Sequence, residues 1–184
     1  MIAPLALSVG SPLLAWREPI YIASGFAGIV GLSLLLLQPL LAAGLLPGTS
    51  VRQGRLAHRV VGGMLVLSVI IHVLGLWVTS PPDVIDVLLL RSPTPFSVWG
   101  VAAMWAVFGT TVLAALRKPL RMRWRSWRIG HSLLAVVIVV GSVVHAVLIE
   151  GTMEIMSKVA LCALVLLASL WVLADRKVLA RLRK

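Results

Sequence analysis

Residues 54–77, GRLAHRVVGGMLVLSVIIHVLGLW, decide the fold. Past Arg59 every residue but His72 is apolar or small over the eighteen residues to Trp77, close to the ~20 that cross a bilayer, so the stretch reads as a membrane helix. It holds His58 and His72, fourteen residues apart. Residues 127–150, WRIGHSLLAVVIVVGSVVHAVLIE, hold His131 and His145 at the same interval, and these four are all the histidines of the chain. Fourteen residues make nearly four helical turns, so each pair shares one helix face with its members ~21 Å apart.

The rest of the composition agrees. In 184 residues, 60% are hydrophobic and 12% charged, with a mean hydropathy of +1.03, which no water-facing surface could accommodate. The net charge of +11 has its nearest explanation in cytoplasmic loops, and nucleic acid is not expected as a partner. Cys162 is the one cysteine and lies in an apolar run, which excludes disulfide frameworks and thiolate-held clusters; packing is its expected role.

The expected fold class is all-α: a polytopic membrane helical bundle of five transmembrane helices, or six if the residues before Arg17 complete another. Residues 1–19 read as an N-terminal arm or partial helix, broken by Pro4 and Pro12. Residues 20–175 form the bundle, and residues 176–184 a basic, cytoplasmic and helical tail. The spans are expected at about Tyr21–Leu46, with a kink at Gln38-Pro39 and an end at Pro47-Gly48; Leu56–Val78; Phe96–Leu116; Ile129–Ile149; and Ile155–Ala174. A basic loop with Arg52 and Arg55 precedes the second. Asp83 to Arg91, too short to cross and flanked by prolines, reads as an interfacial helix on the outer surface, able to act as a lid. Arg117, Lys118, Arg121, Arg123, Arg125 and Arg128 crowd the loop before the fourth span, with Trp124 and Trp127 as interface anchors.

If the spans alternate, the Arg52 loop, the Arg117 loop and the tail share one side, which holds 14 of the 17 Lys and Arg residues and is expected to be cytoplasmic. Glu18, Asp83, Asp86, Glu150 and Glu154 lie opposite. The expected location is therefore a bacterial-type inner membrane, with the C-terminus cytoplasmic.

The second and fourth spans then run parallel, so His58 is expected to face His131 near the cytoplasmic edge, and His72 to face His145 nearer the outside. Neutral imidazole is an axial ligand for haem iron, and two imidazoles from opposite faces give a low-spin b haem suited to electron transfer. Two haem b are expected, non-covalent because no CxxCH is present. A single such histidine would be read as a proton relay or a helix contact; two equal intervals on parallel helices favour haem. Zinc is not expected, since the faces lack carboxylates and thiolates.

Gly62 and Gly63, with Gly75, Gly130 and Gly141, would let a flat macrocycle approach, or else serve ordinary helix packing. Arg55, Arg59, Arg125 and Arg128 adjoin the inner pair; most read as orientation signals, with Arg59 the best candidate to hold a propionate. Leu65 and Ile138 share the faces of the inner histidines and would separate the two haems. Met64 and Met104 read as core filling rather than ligands, and Trp77, Trp99 and Trp105 as interface or packing residues.

HRVVGGMLVLSVIIH, with His58-Arg59, Gly62 and His72, together with Trp127-x3-His131 and His145, resembles the ferric reductase-like transmembrane domain over about Tyr21 to Ala174. The resemblance implies a bundle holding two stacked b haems that pass electrons across the membrane, with His58, His72, His131 and His145 as axial ligands. Family members commonly have six spans where five are clear here, and many continue into a flavin and nicotinamide module absent from this sequence. The expectation is thus an oxidoreductase component that needs a separate donor, a cytoplasmic flavin reductase or membrane quinol, and an outer-side electron acceptor. A place as a subunit of a larger complex fits the same expectation. A quinol- or superoxide-linked di-haem cytochrome b is the nearest alternative; a haem-free transporter or assembly subunit is the alternative from another class.

Overall fold

A computed structural model describes residues 6, 8, 12–45, 48 and 50–174. Among them are six α-helices, no strand, and a 3-10 turn at Pro12–Leu14: α1 (Pro19–Ala43), α2 (Val51–Thr79), α3 (Pro81–Leu88), α4 (Ser97–Leu116), α5 (Trp124–Leu148) and α6 (Ile155–Ala174). Five of them, all but α3, are long and apolar enough to cross a membrane. The chain divides into two compact units, residues 1–81 with 150–184, and residues 82–149.

The first unit contains α1, α2 and α6. Pro19 starts α1, where its missing N–H costs nothing. The helix runs through Pro39 and ends at Gly44, whose left-handed φ of 65° lets the Gly44 and Leu45 N–H groups donate to the Leu41 and Leu40 carbonyls. The end therefore comes three residues before the expected Leu46, and Pro47 lies outside the described residues. Ser50 opens α2 with a capping box: the Gln53 N–H donates to the Ser50 hydroxyl, and the Ser50 N–H to the Gln53 side chain. Arg52 and Arg55, expected in a loop, accordingly stand in the first turns of the helix.

Small residues bring the α1–α2 hairpin together. A Cβ on Gly54 would come within 2.9 Å of the Leu41 carbonyl, one on Gly31 within 3.7 Å of Ser68, and one on Gly75 would overlap Ser24 Oγ. The three contacts step along both helices in opposite senses, so the helices are antiparallel. α6 runs with α1: Thr152, just before α6, packs against Gly25, and Val172 at its far end against Ala43. Its buried residues Lys158, Leu161, Cys162, Val165, Ala168 and Val172 recur every three or four positions, forming a single stripe.

Where the first unit passes into the second along the chain, Pro81 and Pro82 stop α2 but also begin α3, a position that suits proline's fixed φ. α3 ends at Leu88, short of the expected Arg91, because Leu90 turns left-handed (φ 58°) and the Arg91 N–H donates back to Asp86. α4 and α5 form a second antiparallel hairpin. The turn between them closes with Arg121 left-handed (φ 45°), the Met122 N–H donating to Arg117 and the Arg121 N–H to Lys118. α5 begins at Trp124, five residues before the expected Ile129, so Trp124, Arg125, Trp127 and Arg128 are helical rather than loop residues.

Large apolar side chains, among them Leu67, Leu74, Leu133, Leu164 and Leu167, remain exposed along the spans. That much apolar surface marks lipid contact, and only elements whose backbone bonds close internally can make it. The chain is a multi-pass membrane protein. The N-terminal arm rests largely, and the basic tail wholly, on positions outside the described residues.

Candidate functional site

In the first hairpin, His72 Nδ1 lies 2.8 Å from the Ser24 carbonyl and His58 Nδ1 lies 3.1 Å from the Gln38 carbonyl. A carbonyl can only accept, so in each bond Nδ1–H donates, and a neutral ring then carries its lone pair on Nε2. The two acceptors are fourteen residues apart on α1, matching the two donors on α2. An antiparallel pair of helices with one histidine interval thus supplies the same main-chain support twice.

The second hairpin is built to the same plan. His145 Nδ1 lies 2.9 Å from the Phe96 carbonyl, and the Phe96 ring meets the imidazole edge-on at 5.7 Å. Phe96 follows Ser24 by 72 residues, and His145 follows His72 by 73. Thr110 stands in the position on α4 that Gln38 takes on α1, fourteen residues beyond the carbonyl that supports the later histidine. His131 packs face to face on Trp127, one helical turn earlier, with ring centroids 5.1 Å apart and planes 15° apart.

Two glycines missed by sequence reasoning admit the imidazoles. A Cβ on Gly28 would lie 3.2 Å from His72 Nδ1, and one on Gly100 would lie 2.7 Å from His145 Nδ1. They too are 72 residues apart, so the internal repeat of the two hairpins was the available signal. The glycines singled out from sequence behave differently. Gly75 lies against Ser24, Gly141 against Trp99 and Ala103, and Gly130 faces Leu113; all three serve helix packing. Gly62 lies beside the Gln38 amide, its added Cβ 3.5 Å from Nε2, while an added Cβ on Gly63 would meet open space.

Leu65 and Ile138 are each buried, at matching positions of the two hairpins, and Met104 is core while Met64 is exposed. Arg55, Arg59 and Arg125 are exposed and Arg128 is half-buried. Among the described residues, the buried Gln38 Nε2 in the first hairpin, and Thr110 Oγ1 and Trp127 Nε1 in the second, have no hydrogen-bond partner.

Comparison with curated proteins gives no match, nor does comparison with solved structures. The family described as "Ferric reductase like transmembrane component" matches residues 25–142, which take in all of α2, α3 and α4 and three of the four histidines. That match covers well over half of the chain, and with the membrane helices and paired histidines on which it falls, it establishes that the chain belongs to the ferric reductase-like transmembrane family.

Proposed function

We propose that this protein carries electrons across its membrane as a di-haem b-type cytochrome, with His58 and His131 the axial ligands of the inner haem and His72 and His145 those of the outer. Membrane electron transfer follows from the family; the haem count, the ligand pairing and the direction are the proposal. The single observation that carries it is the Nδ1–H donation of His58, His72 and His145 to main-chain carbonyls. Metal-bound histidines characteristically donate their other ring nitrogen in this way, which fixes the tautomer, holds the ring plane and raises the basicity of Nε2.

The residues present also fit a porphyrin in other respects. Gly28 and Gly100 let the His72 and His145 imidazoles lie close against the same helix whose carbonyls, of Ser24 and Phe96, accept from them. The amide of Gln38 and the hydroxyl of Thr110 offer buried donors suited to carboxylates at the inner level. Arg59 and Arg128 are the cationic candidates there, following His58 by one residue and preceding His131 by three. Gly62, beside Gln38, leaves room for close approach. A bis-imidazole haem supplies a one-electron ferric/ferrous couple with both axial positions filled, which suits electron transfer.

With Nδ1 bonded to a carbonyl, the His58, His72 and His145 rings would hold Nε2 in place for a bound haem. Apolar span residues around them exclude water. The excess of Lys and Arg on one side supports a cytoplasmic C-terminus, and on that reading electrons would enter from a cytoplasmic donor, a flavin reductase or quinol, and leave to an acceptor outside. The protein is thus an oxidoreductase component working in a bacterial-type inner membrane, with its chemistry completed by partners. Purified full-length protein should show a reduced b-type spectrum with about two haems per chain. His72→Ala or His145→Ala should each remove one haem and leave the other. A folded, colourless preparation would refute the proposal in favour of a haem-free transporter or assembly subunit.

A further inference from the structure

An aromatic stack along its own helix bears on His131. Trp124, Trp127 and His131 follow one another at three- and four-residue intervals on α5, and so share a face. Trp124 and Trp127 stack at 5.1 Å with planes 26° apart, and Trp127 and His131 at 5.1 Å with planes 15° apart. The guanidinium carbon of Arg117, at the end of α4, sits 4.7 Å from the Trp124 centroid and 4.5 Å from that of Trp127. The turn that follows, closed by Arg121 and Met122 on Lys118 and Arg117, folds the chain back so that Arg117 lies against the rings. An indole face attracts a cation, and delocalised guanidinium stacks on it well.

The χ2 torsion of histidine is broad, so an imidazole ring keeps a fixed plane only when something outside it does the fixing. A hydrogen bond to a carbonyl fixes it for His145, where the aromatic neighbour Phe96 meets the ring edge-on and leaves rotation to the bond. A nearly parallel, offset indole restricts the same rotation at His131 by stacking against part of its face.

We propose that Trp127, backed by Arg117, is a positioning residue that sets the ring plane of His131. The inference rests on the haem reading above. The plane of an axial imidazole governs its overlap with iron d orbitals, so the ligand field and potential of one haem answer to a stack reaching into the basic α4–α5 turn. Anything that moves Arg117 there, a docked donor included, would be felt at one haem and not at the other.

The test compares full-length wild type with W127L, W127F, R117Q and, as a control for loss of a tryptophan elsewhere in the same hairpin, W105L. Trp105 is exposed and meets Phe108 edge-on, away from the stack. Haem per chain, the low-spin ferric electron paramagnetic resonance signals and the redox titration are recorded for each. W127L is expected to shift the resonance and midpoint potential of one haem while the other keeps both. W127F, which keeps a stacked ring, should stay near wild type, R117Q should move the same signal less far, and W105L should move neither. Haem-loaded W127L with unmoved signals overturns the inference, as does a W127F shift equal to that of W127L. If W127L does not accumulate, R117Q decides, and its unmoved signals overturn the inference. A colourless wild type would instead refute the haem reading, and this inference with it.

Discussion

Replacing Gly100 with alanine tests whether the glycines facing the imidazoles are there for the ligands. In the structure, the new methyl would stand 2.7 Å from His145 Nδ1 and 2.9 Å from Cε1. Nonbonded carbon contacts settle at about 3.5 Å, so the ring must retreat by roughly half an ångström or more. That retreat stretches the 2.9 Å bond from Nδ1 to the Phe96 carbonyl out of the hydrogen-bonding range. Losing it costs about 0.5–1.5 kcal/mol, while the helix gains about 1 kcal/mol from exchanging glycine for alanine, so overall stability should barely change. Ligation should change much more, since removing a support of a metal-bound histidine typically lowers metal affinity by about 10–100-fold. At Gly28 the corresponding separation from His72 Nδ1 is 3.2 Å, which a displacement of a few tenths of an ångström relieves. The expected order is therefore wild type, then G28A, then G100A in haem retained per chain, read by the pyridine haemochrome spectrum of detergent-purified protein. A G100A preparation with wild-type haem content and spectrum, or one that outperforms G28A, would refute the reasoning.

Gly75→Ala should be poorly tolerated because its methyl would overlap Ser24 Oγ, and Ser24→Ala should rescue it in part; a double-mutant cycle on thermal aggregation temperature would then show coupling between the two positions. Ser50→Ala removes one half of the capping box and should cost about 1 kcal/mol in stability to thermal or denaturant unfolding, with haem content retained. Sidedness is open to labelling in a C162A background: a cysteine placed at Arg121 should react with an impermeant maleimide only in inside-out vesicles, and one at Asp83 only in right-side-out cells.

Much of the protein was legible because its signals are local. A run of twenty apolar residues means a span whatever surrounds it, and the four histidines stand out in a chain whose spans otherwise carry charged side chains only toward their ends. The errors fell where charge was taken to end a helix. Arg52 and Arg55 belong to α2, and Arg125 and Arg128 to α5, because long cationic side chains reach the headgroup region while their backbone stays helical. The Ser50–Gln53 capping box was readable and marked the true start of α2.

The glycines show the deeper limit. Reading outward from each histidine along its own helix singled out Gly62, Gly63 and Gly130, but apart from Trp127, which stacks on His131 from the same helix, the groups that meet the imidazoles come from the helix across. Gly28 and Gly100, 44 and 45 residues upstream of the histidines they admit, became visible only when the hairpins were folded. Sequence by itself determined the spans, the histidine interval and the charge asymmetry, because hydropathy, helical period and membrane sidedness act on single segments. The tertiary structure decided which carbonyl steadies each ring, which glycine makes room for it and that His131 rests on Trp127, because these depend on the register of α1 against α2 and of α4 against α5 and on how the α4–α5 turn folds back, which no periodicity within one segment encodes.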